Sequence, residues 1–139
     1  MPATAGRRPI ARALTMVLAA SAALLALPAP GASAAALPNC TMVDPKSKII
    51  PAVGWDQHQC VLATGNQGAA VRALQNALRA CNGQSIAVDG VYGPATRQAV
   101  IAVQSRAGIA RDGVYGPDTA QAMRWRVGSH CYSYLSVVA

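Results

Sequence analysis

The apolar and polar positions of this chain fall into distinct patterns. Ala13 to Leu27 is an uncharged, mainly apolar run. Leu37 to Ala63 shows no helical period and carries Pro38, Pro45, Pro51 and Gly54. Short extended pieces are expected there at Lys48-Ile49-Ile50 and Ala52-Val53, with Pro51 holding them to an edge. Trp55 is expected as a core or lid residue. From Ala69 to Cys81, Ala70, Val71, Leu74, Ala77, Leu78 and Cys81 recur at spacings of three and four, which places them on one helix face. Arg72, Gln75, Asn76 and Arg79 fall elsewhere on that wheel. Asn66 is the expected cap and Asn82-Gly83 the expected stop.

A second helix should open at Gly93-Pro94, because proline at the first helical position has φ preset and no N–H to leave unpaired. Its stripe is Ala99, Val100, Val103 and Ala107, and Gly108 closes it. A third should open at Gly116-Pro117, carry Ala120, Met123 and Val127, and end at Gly128. The expected fold is therefore mainly α: a small three-helix domain over residues 64–128, with glycine-rich loops. It would follow an irregular, disulfide-stapled extension over 37–63 and precede a tail over 129–139.

The N-terminal run changes the picture of where the chain works. Arg7, Arg8 and Arg12 precede it, Pro28, Pro30 and Gly31 follow it, and Ala32-Ser33-Ala34 and Ala34-Ala35-Ala36 offer small-residue cleavage patterns. That order is the layout of a secretory signal peptide, here residues 1–36. The run is short for a membrane-spanning helix, which needs roughly 20 residues. Pro9-Ile10 after Arg7-Arg8 does not fit a twin-arginine export signal. Asn39 before Cys40 does not fit a lipid-attachment site. The chain is expected to be secreted, extracellular or associated with a cell wall, with no membrane contact once the segment is removed.

Four cysteines, Cys40, Cys60, Cys81 and Cys131, read as two disulfides in a small exported chain. Four cysteines allow three pairings, and the sequence does not choose among them. The preferred reading is Cys40–Cys60, stapling the extension to itself, and Cys81–Cys131, tying the end of the first helix to the tail. The spacings contain no CxxC, and His58 and His130 stand apart, so no metal site is expected.

The most informative feature is a repeat. Asp89-Gly90-Val91-Tyr92-Gly93-Pro94-Ala95-Thr96 recurs as Asp112-Gly113-Val114-Tyr115-Gly116-Pro117-Asp118-Thr119. Each copy reads as a turn feeding a helix: Asp bonds backbone N–H groups two residues on, and Gly supplies positive φ. Val is expected to pack down, and Thr to meet free donors in the first turn. Tyr92 and Tyr115 are read evenly as half-buried core or as the lining of a shared groove, since Tyr joins an apolar body to a polar tip.

The stretch from about Thr64 to Arg126 resembles the three-helix peptidoglycan-binding domain family of bacterial cell-wall hydrolases. The opening block is Gly65-Asn66-Gln67-Gly68-Ala69-Ala70-Val71-Arg72-Ala73-Leu74-Gln75. The centre runs from Asp89 through Val100 to Val103-Gln104, and the close from Gly108-Ile109 to Thr119. All three blocks occur in order. The chain departs from the family pattern at Val103, where Phe is usual, and at Ala120, where a bulky residue is frequent.

The resemblance implies non-catalytic binding of peptidoglycan, a glycan strand bearing short peptides, with a cell-wall enzyme as a further partner. The ligand is rich in hydroxyls, amides and carboxylates. On that basis the candidate lining residues are Gln75, Tyr92, Thr96, Arg97, Gln104, Arg111, Tyr115 and Thr119. Arg97 or Arg111 would pair with a peptide carboxylate, because guanidinium matches it bidentately. Gln75 and Gln104 would bond glycan amides, and the helix starts at Gly93 and Gly116 would add partial positive charge.

Charge and composition exclude other functions. Net charge is +7, falling to +4 without Arg7, Arg8 and Arg12. That suits an anionic surface or plain solubility. No dense Lys/Arg stripe with interleaved aromatics is present, so nucleic acid is not an expected partner. The acids are Asp44, Asp56, Asp89, Asp112 and Asp118, with no Glu. No paired carboxylates, Cys/His couple or zinc spacing emerges, so the chain is not expected to be an enzyme and no cofactor is expected. A monomer is expected. The alternative is a secreted protein-interaction or inhibitor module on the same scaffold.

Overall fold

The computed structural model describes residues 36–139. The expected signal segment falls almost wholly outside them. In chain order the elements are β1 (Met42–Val43), β2 (Pro51–Ala52), α1 (Ala69–Cys81), α2 (Pro94–Ala107), α3 (Pro117–Ala122), β3 (Arg124–Val127), β4 (His130–Ser133) and α4 (Tyr134–Val138). Among the described residues, four helices are thus accompanied by two short antiparallel sheets, β1–β2 and β3–β4. None of those helices is long and apolar enough to cross a membrane.

The helical periodicity of α1 is realised. Ala70, Val71, Leu74, Ala77 and Leu78 are buried, while Arg72, Asn76 and Arg79 face out. Gln75 is buried as well, although its wheel position is off the apolar stripe. The start differs from expectation. Gly68, at φ +114°, is the N-cap residue, and the Asn66 side chain instead accepts the Ala63 N–H at 2.7 Å. That bond closes the preceding turn, so Asn66 shapes the approach to the helix. At the far end Asn82 follows α1 and Gly83 takes φ +70°, as the sequence indicates.

Helix α2 begins at Pro94 and is closed by Gly108 in the left-handed conformation. Helix α3 begins at Pro117 but stops at Ala122, short of the expected Gly128. Met123 adopts an extended backbone, and Arg124–Val127 forms a strand paired with His130–Ser133. Period-two packing explains the switch. Trp125 turns fully inward between exposed Arg124 and Arg126, and its indole N–H reaches the Ala120 carbonyl at 3.0 Å. Val127, expected in a helical stripe, is exposed.

Asn82 ties the hairpin to α1. Its amide donates to the Arg124 carbonyl at 2.9 Å and accepts the Arg124 N–H at 3.1 Å, imitating a backbone pair. The Cys81–Cys131 disulfide closes the same junction, and Cys40–Cys60 closes the N-terminal extension. Both are the preferred pairs. Closing loops of 20 and 50 residues restricts the unfolded chain by an amount worth on the order of 3–4 kcal/mol each.

The core draws on the extension, the helices and the hairpin together. Leu74 and Leu78 from α1, Val100 from α2, Tyr92 and Tyr115 from the repeat, and Trp125 from β3 meet Ile50 and Leu62 from the extension. The extension is thus part of the packed body. Trp55 is not: it stands 73% exposed, contrary to the expected core or lid position. Gly54 to Gln57 forms a tight turn, with the Gln57 N–H on the Gly54 carbonyl, and Trp55 sits at its tip. Lys48-Ile49, expected extended, lies in a turn in which Lys48 takes φ +59°.

Candidate functional site

The two repeat copies build the same object twice. In the first, Gln75 reaches from α1 into the Asp89–Tyr92 turn. Its amide nitrogen lies 2.8 Å from Asp89 Oδ1, 2.9 Å from the Val91 carbonyl and 3.0 Å from Thr96 Oγ1. Its carbonyl accepts the Gly90 N–H at 2.8 Å. In the second, Gln104 of α2 stands 2.8, 3.0 and 3.1 Å from Asp112 Oδ1, the Val114 carbonyl and Thr119 Oγ1, and accepts the Gly113 N–H at 3.0 Å. The Gly N–H fixes which way each amide points, because a flipped NH2 would face another donor. Asp89 and Asp112 also accept the N–H two residues on, both at 2.9 Å. The Val91 N–H, the Gln75 amide and the Arg72 charge hold the Asp89 carboxyl below its ordinary value.

Each glycine of these turns lies under an arginine. Gly90 and Gly113 adopt φ +75° and +70°. A β-carbon at Gly90 would come 3.0 Å from Arg72 Nη2, and one at Gly113 would come 2.7 Å from Arg97 Cγ. Both sites therefore need glycine for the backbone, and Gly113 needs it for space as well, since Arg97 Cγ lies near the root of its side chain whereas the contact at Gly90 is with the far end of Arg72.

The tyrosines settle as core. Tyr92 and Tyr115 are 1% and 0% exposed. Tyr92 donates its hydroxyl to the Gly113 carbonyl at 2.8 Å, linking the two turns. Tyr115 stacks edge-on against Trp125 at 6.2 Å, and its hydroxyl has no partner among the described residues. Burial raises both phenols above their ordinary range. Val91, expected to pack down, is exposed, because Tyr92 takes the inward position on the alternating turn backbone.

Of the eight sequence candidates, Gln75, Tyr92, Thr96, Gln104, Tyr115 and Thr119 are buried, and the polar atoms of all but Tyr115 are engaged in the turn network. Arg97 and Arg111 are exposed. Arg97 leans over Gly113 with Nη2 3.4 Å from the Asp112 carbonyl. The structure builds six of the eight into the framework of the domain, leaves Arg97 and Arg111 on the surface, and does not gather the eight along one open surface. The start of α3 carries Asp118, which already answers the helix dipole there.

An open concavity lies elsewhere, along the outer face of α1. A groove of about 260 Å³ is lined by Lys48 and Ile49 of the extension, Arg72, Ala73 and Asn76 of α1, and Trp125 and Arg126 of β3. A second depression of about 410 Å³ shares Ile49, Asn76 and Arg126 and adds Arg79 and Gly128. Four cations, Lys48, Arg72, Arg79 and Arg126, line the two, and among the described residues no carboxylate does. Ala73, Ala77 and Ala80 keep the floor low. The sequence reading missed this surface. Arg72, Asn76 and Arg79 were visible at three- and four-residue spacing on the polar side of α1. Lys48 and Arg126 carried no local signal, because a turn and a hairpin far apart in sequence deliver them.

Residues 67–123 match the model of the family described as "Putative peptidoglycan binding domain". No curated protein shows a significant match. Among solved structures, an endolysin of Burkholderia AP3 phage is 44% identical with a TM-score of 0.41, covering 42% of this chain and 22% of its own. A peptidoglycan-binding protein from Clostridioides difficile is 33% identical with a TM-score of 0.43, covering 45% and 39%. The SleB N-terminal domain is 36% identical with a TM-score of 0.43, covering 45% and 86%. The chain spans less than half the length of the first two. Residues 67–123, which hold the glutamine-clasped Asp-Gly-Val-Tyr turns and their helices, belong to the peptidoglycan-binding domain family.

Proposed function

We propose that this chain is a secreted, non-catalytic module that holds bacterial peptidoglycan, acting as a monomer beside a cell-wall enzyme. The observation that carries the reading is the family domain over residues 67–123. The groove over α1 supports it with a place for the ligand. Peptide stems of the wall carry carboxylates, and the guanidinium groups of Arg72, Arg79 and Arg126 suit them. Asn76 offers an amide for glycan or peptide groups. The buried candidates Gln75, Tyr92, Thr96, Gln104, Tyr115 and Thr119 act by shaping the turns. Arg97 and Arg111 extend the positive surface. Two disulfides and the expected signal segment support work outside the cell. The extension over 37–63 serves as one wall of the groove, through Lys48 and Ile49.

The test is retention of the oxidised chain on purified sacculi stripped of teichoic acids, at low and high salt. Retention that survives high salt and drops sharply in Arg72→Ala/Arg126→Ala is the expected result. Loss of wild-type retention in high salt, together with low-salt retention that Arg72→Ala/Arg126→Ala leaves unchanged, would overturn a specific site. It would favour the second reading, a protein partner, for which the exposed Trp55 on its turn is the supporting observation. Wall-containing gels that clear around the pure chain would overturn the non-catalytic reading.

A further inference from the structure

The extension brings together three side chains that stand apart in sequence and that the wall-binding reading does not use. Asp44, Asp56 and His58 each offer one ligand atom, and these atoms lie within 4.8 Å of one another. Asp44 follows β1, while Asp56 and His58 lie on the turn that follows β2. The antiparallel pairing of Met42 with Ala52 and Val43 with Pro51 brings the two segments together. Asp44 is too far from the other two along the chain to make a ligand signature, which is why His58 stands isolated in the sequence.

The imidazole carries the argument. His58 has only 7% of its side chain exposed, and its Nε2 is buried without a hydrogen-bond partner among the described residues. Asp44 Oδ2 is 3.7 Å away, too far for a hydrogen bond. An orphaned buried nitrogen is costly, on the order of 1–3 kcal/mol, and such a group calls for a partner. Two atoms 3.7 Å apart are well placed to share an ion with bonds of roughly 2.0–2.2 Å.

The carboxylates fit the same role. Asp44 is buried, which would raise its pKa, but the backbone N–H groups of Ser47 and Asp56 outweigh burial and bring it from 3.8 to about 2. It is therefore charged at neutral pH. The Ser47 and Asp56 N–H groups orient it, as outer-shell bonds orient metal ligands. Asp56 is more than half exposed and free to swing toward the other two. Its partner Lys46, 3.9 Å away and about half exposed, makes a weak surface pair that an ion would displace. Asp56 also takes φ +52°, a left-handed conformation that points to a constraint on this turn. Tyr134 packs against His58, its ring 5.9 Å away and edge-on.

We propose that Asp44, Asp56 and His58 form a site for a first-row divalent cation of the zinc type, open to solvent on the Asp56 side. Two carboxylates neutralise the ion and one imidazole selects against the purely oxygen-seeking cations. Water completes the coordination. The ion would pin the turn that carries Trp55 onto the strand pair beneath it. The site stands or falls independently of wall binding.

The test is titration of the tag-free, oxidised full chain with Zn2+, followed by calorimetry and by melting temperature, with EDTA to reverse it. Saturable binding of one ion per chain and a rise in melting temperature are expected. Asp56→Asn, which keeps a residue that tolerates positive φ, should weaken binding by at least about tenfold. His58→Gln should abolish it, and His130→Ala should leave it unchanged. Absence of saturable binding in the wild type would overturn the site. So would binding that neither Asp56→Asn nor His58→Gln alters. If His58→Gln fails to fold, the exposed Asp56 variant decides alone.

Discussion

The two copies of the Asp-Gly-Val-Tyr turn are alike in what they hold and unlike in what surrounds them. Gln75 and Gln104 make the same four contacts at closely matching distances. They do so although Gln75 lies 14 residues before its Asp and Gln104 only 8. The tyrosines part company. Tyr92 commits its hydroxyl to the second turn, while Tyr115 packs on Trp125 and leaves its own unpaired. Turn chemistry is therefore local and repeats faithfully. The fate of a side chain that leaves the turn is set by what the rest of the chain puts there.

Three pairs of substitutions would break or sharpen that comparison. The largest effect is expected at the clasps. Gln75→Leu and Gln104→Leu each strand a buried glycine N–H and should cost about 3 kcal/mol in urea unfolding, alike in both copies. A difference of more than about 1 kcal/mol would mean that the clasps are not equivalent. Next come the glycines. Gly90→Ala should lose about 1–2 kcal/mol to its left-handed backbone. Gly113→Ala should lose more. Its new methyl meets Arg97 near the root of that side chain, whereas at Gly90 the closest atom is at the far end of Arg72.

The smallest effect, and the sharpest contrast, lies at the tyrosines. Tyr92→Phe removes a buried hydrogen bond and should cost about 1–2 kcal/mol. Tyr115→Phe removes a hydroxyl that has no partner among the described residues and should be neutral or mildly stabilising. Equal melting temperatures for the two phenylalanine variants would show that the asymmetry of the copies carries no energetic weight.

Much of the helical framework was legible. Gly-Pro at both repeat ends marked helix starts because proline and glycine act through backbone geometry, which needs no distant partner. The period of α1 and its Asn-Gly stop were equally local. The β3–β4 hairpin was present in the sequence as Arg124-Trp125-Arg126-Val127, then Gly128-Ser129, then His130 onward, but Met123 and Val127 also fit a helical period. Burial of Trp125 and the Cys81–Cys131 link decide between them. The candidate site was less legible. Gln75, Gln104, Thr96 and Thr119 proved to be internal clasps, because the same polar side chains serve a buried turn as readily as a ligand. Trp55 was misjudged in the opposite sense, since a large aromatic at the tip of a tight turn is held away from the core.

By itself the sequence determined the two repeat turns, the helix starts at Pro94 and Pro117, the apolar face of α1 and the number of disulfides the chain could hold. These depend on φ preferences, on hydrogen bonds between near neighbours and on a count of thiols. The cationic groove, the Asp44–Asp56–His58 cluster and the division of labour between Tyr92 and Tyr115 were decided only by the tertiary structure. Each requires side chains from distant segments to converge, and that convergence follows from the closing of one shared core around Trp125, Leu62 and Ile50.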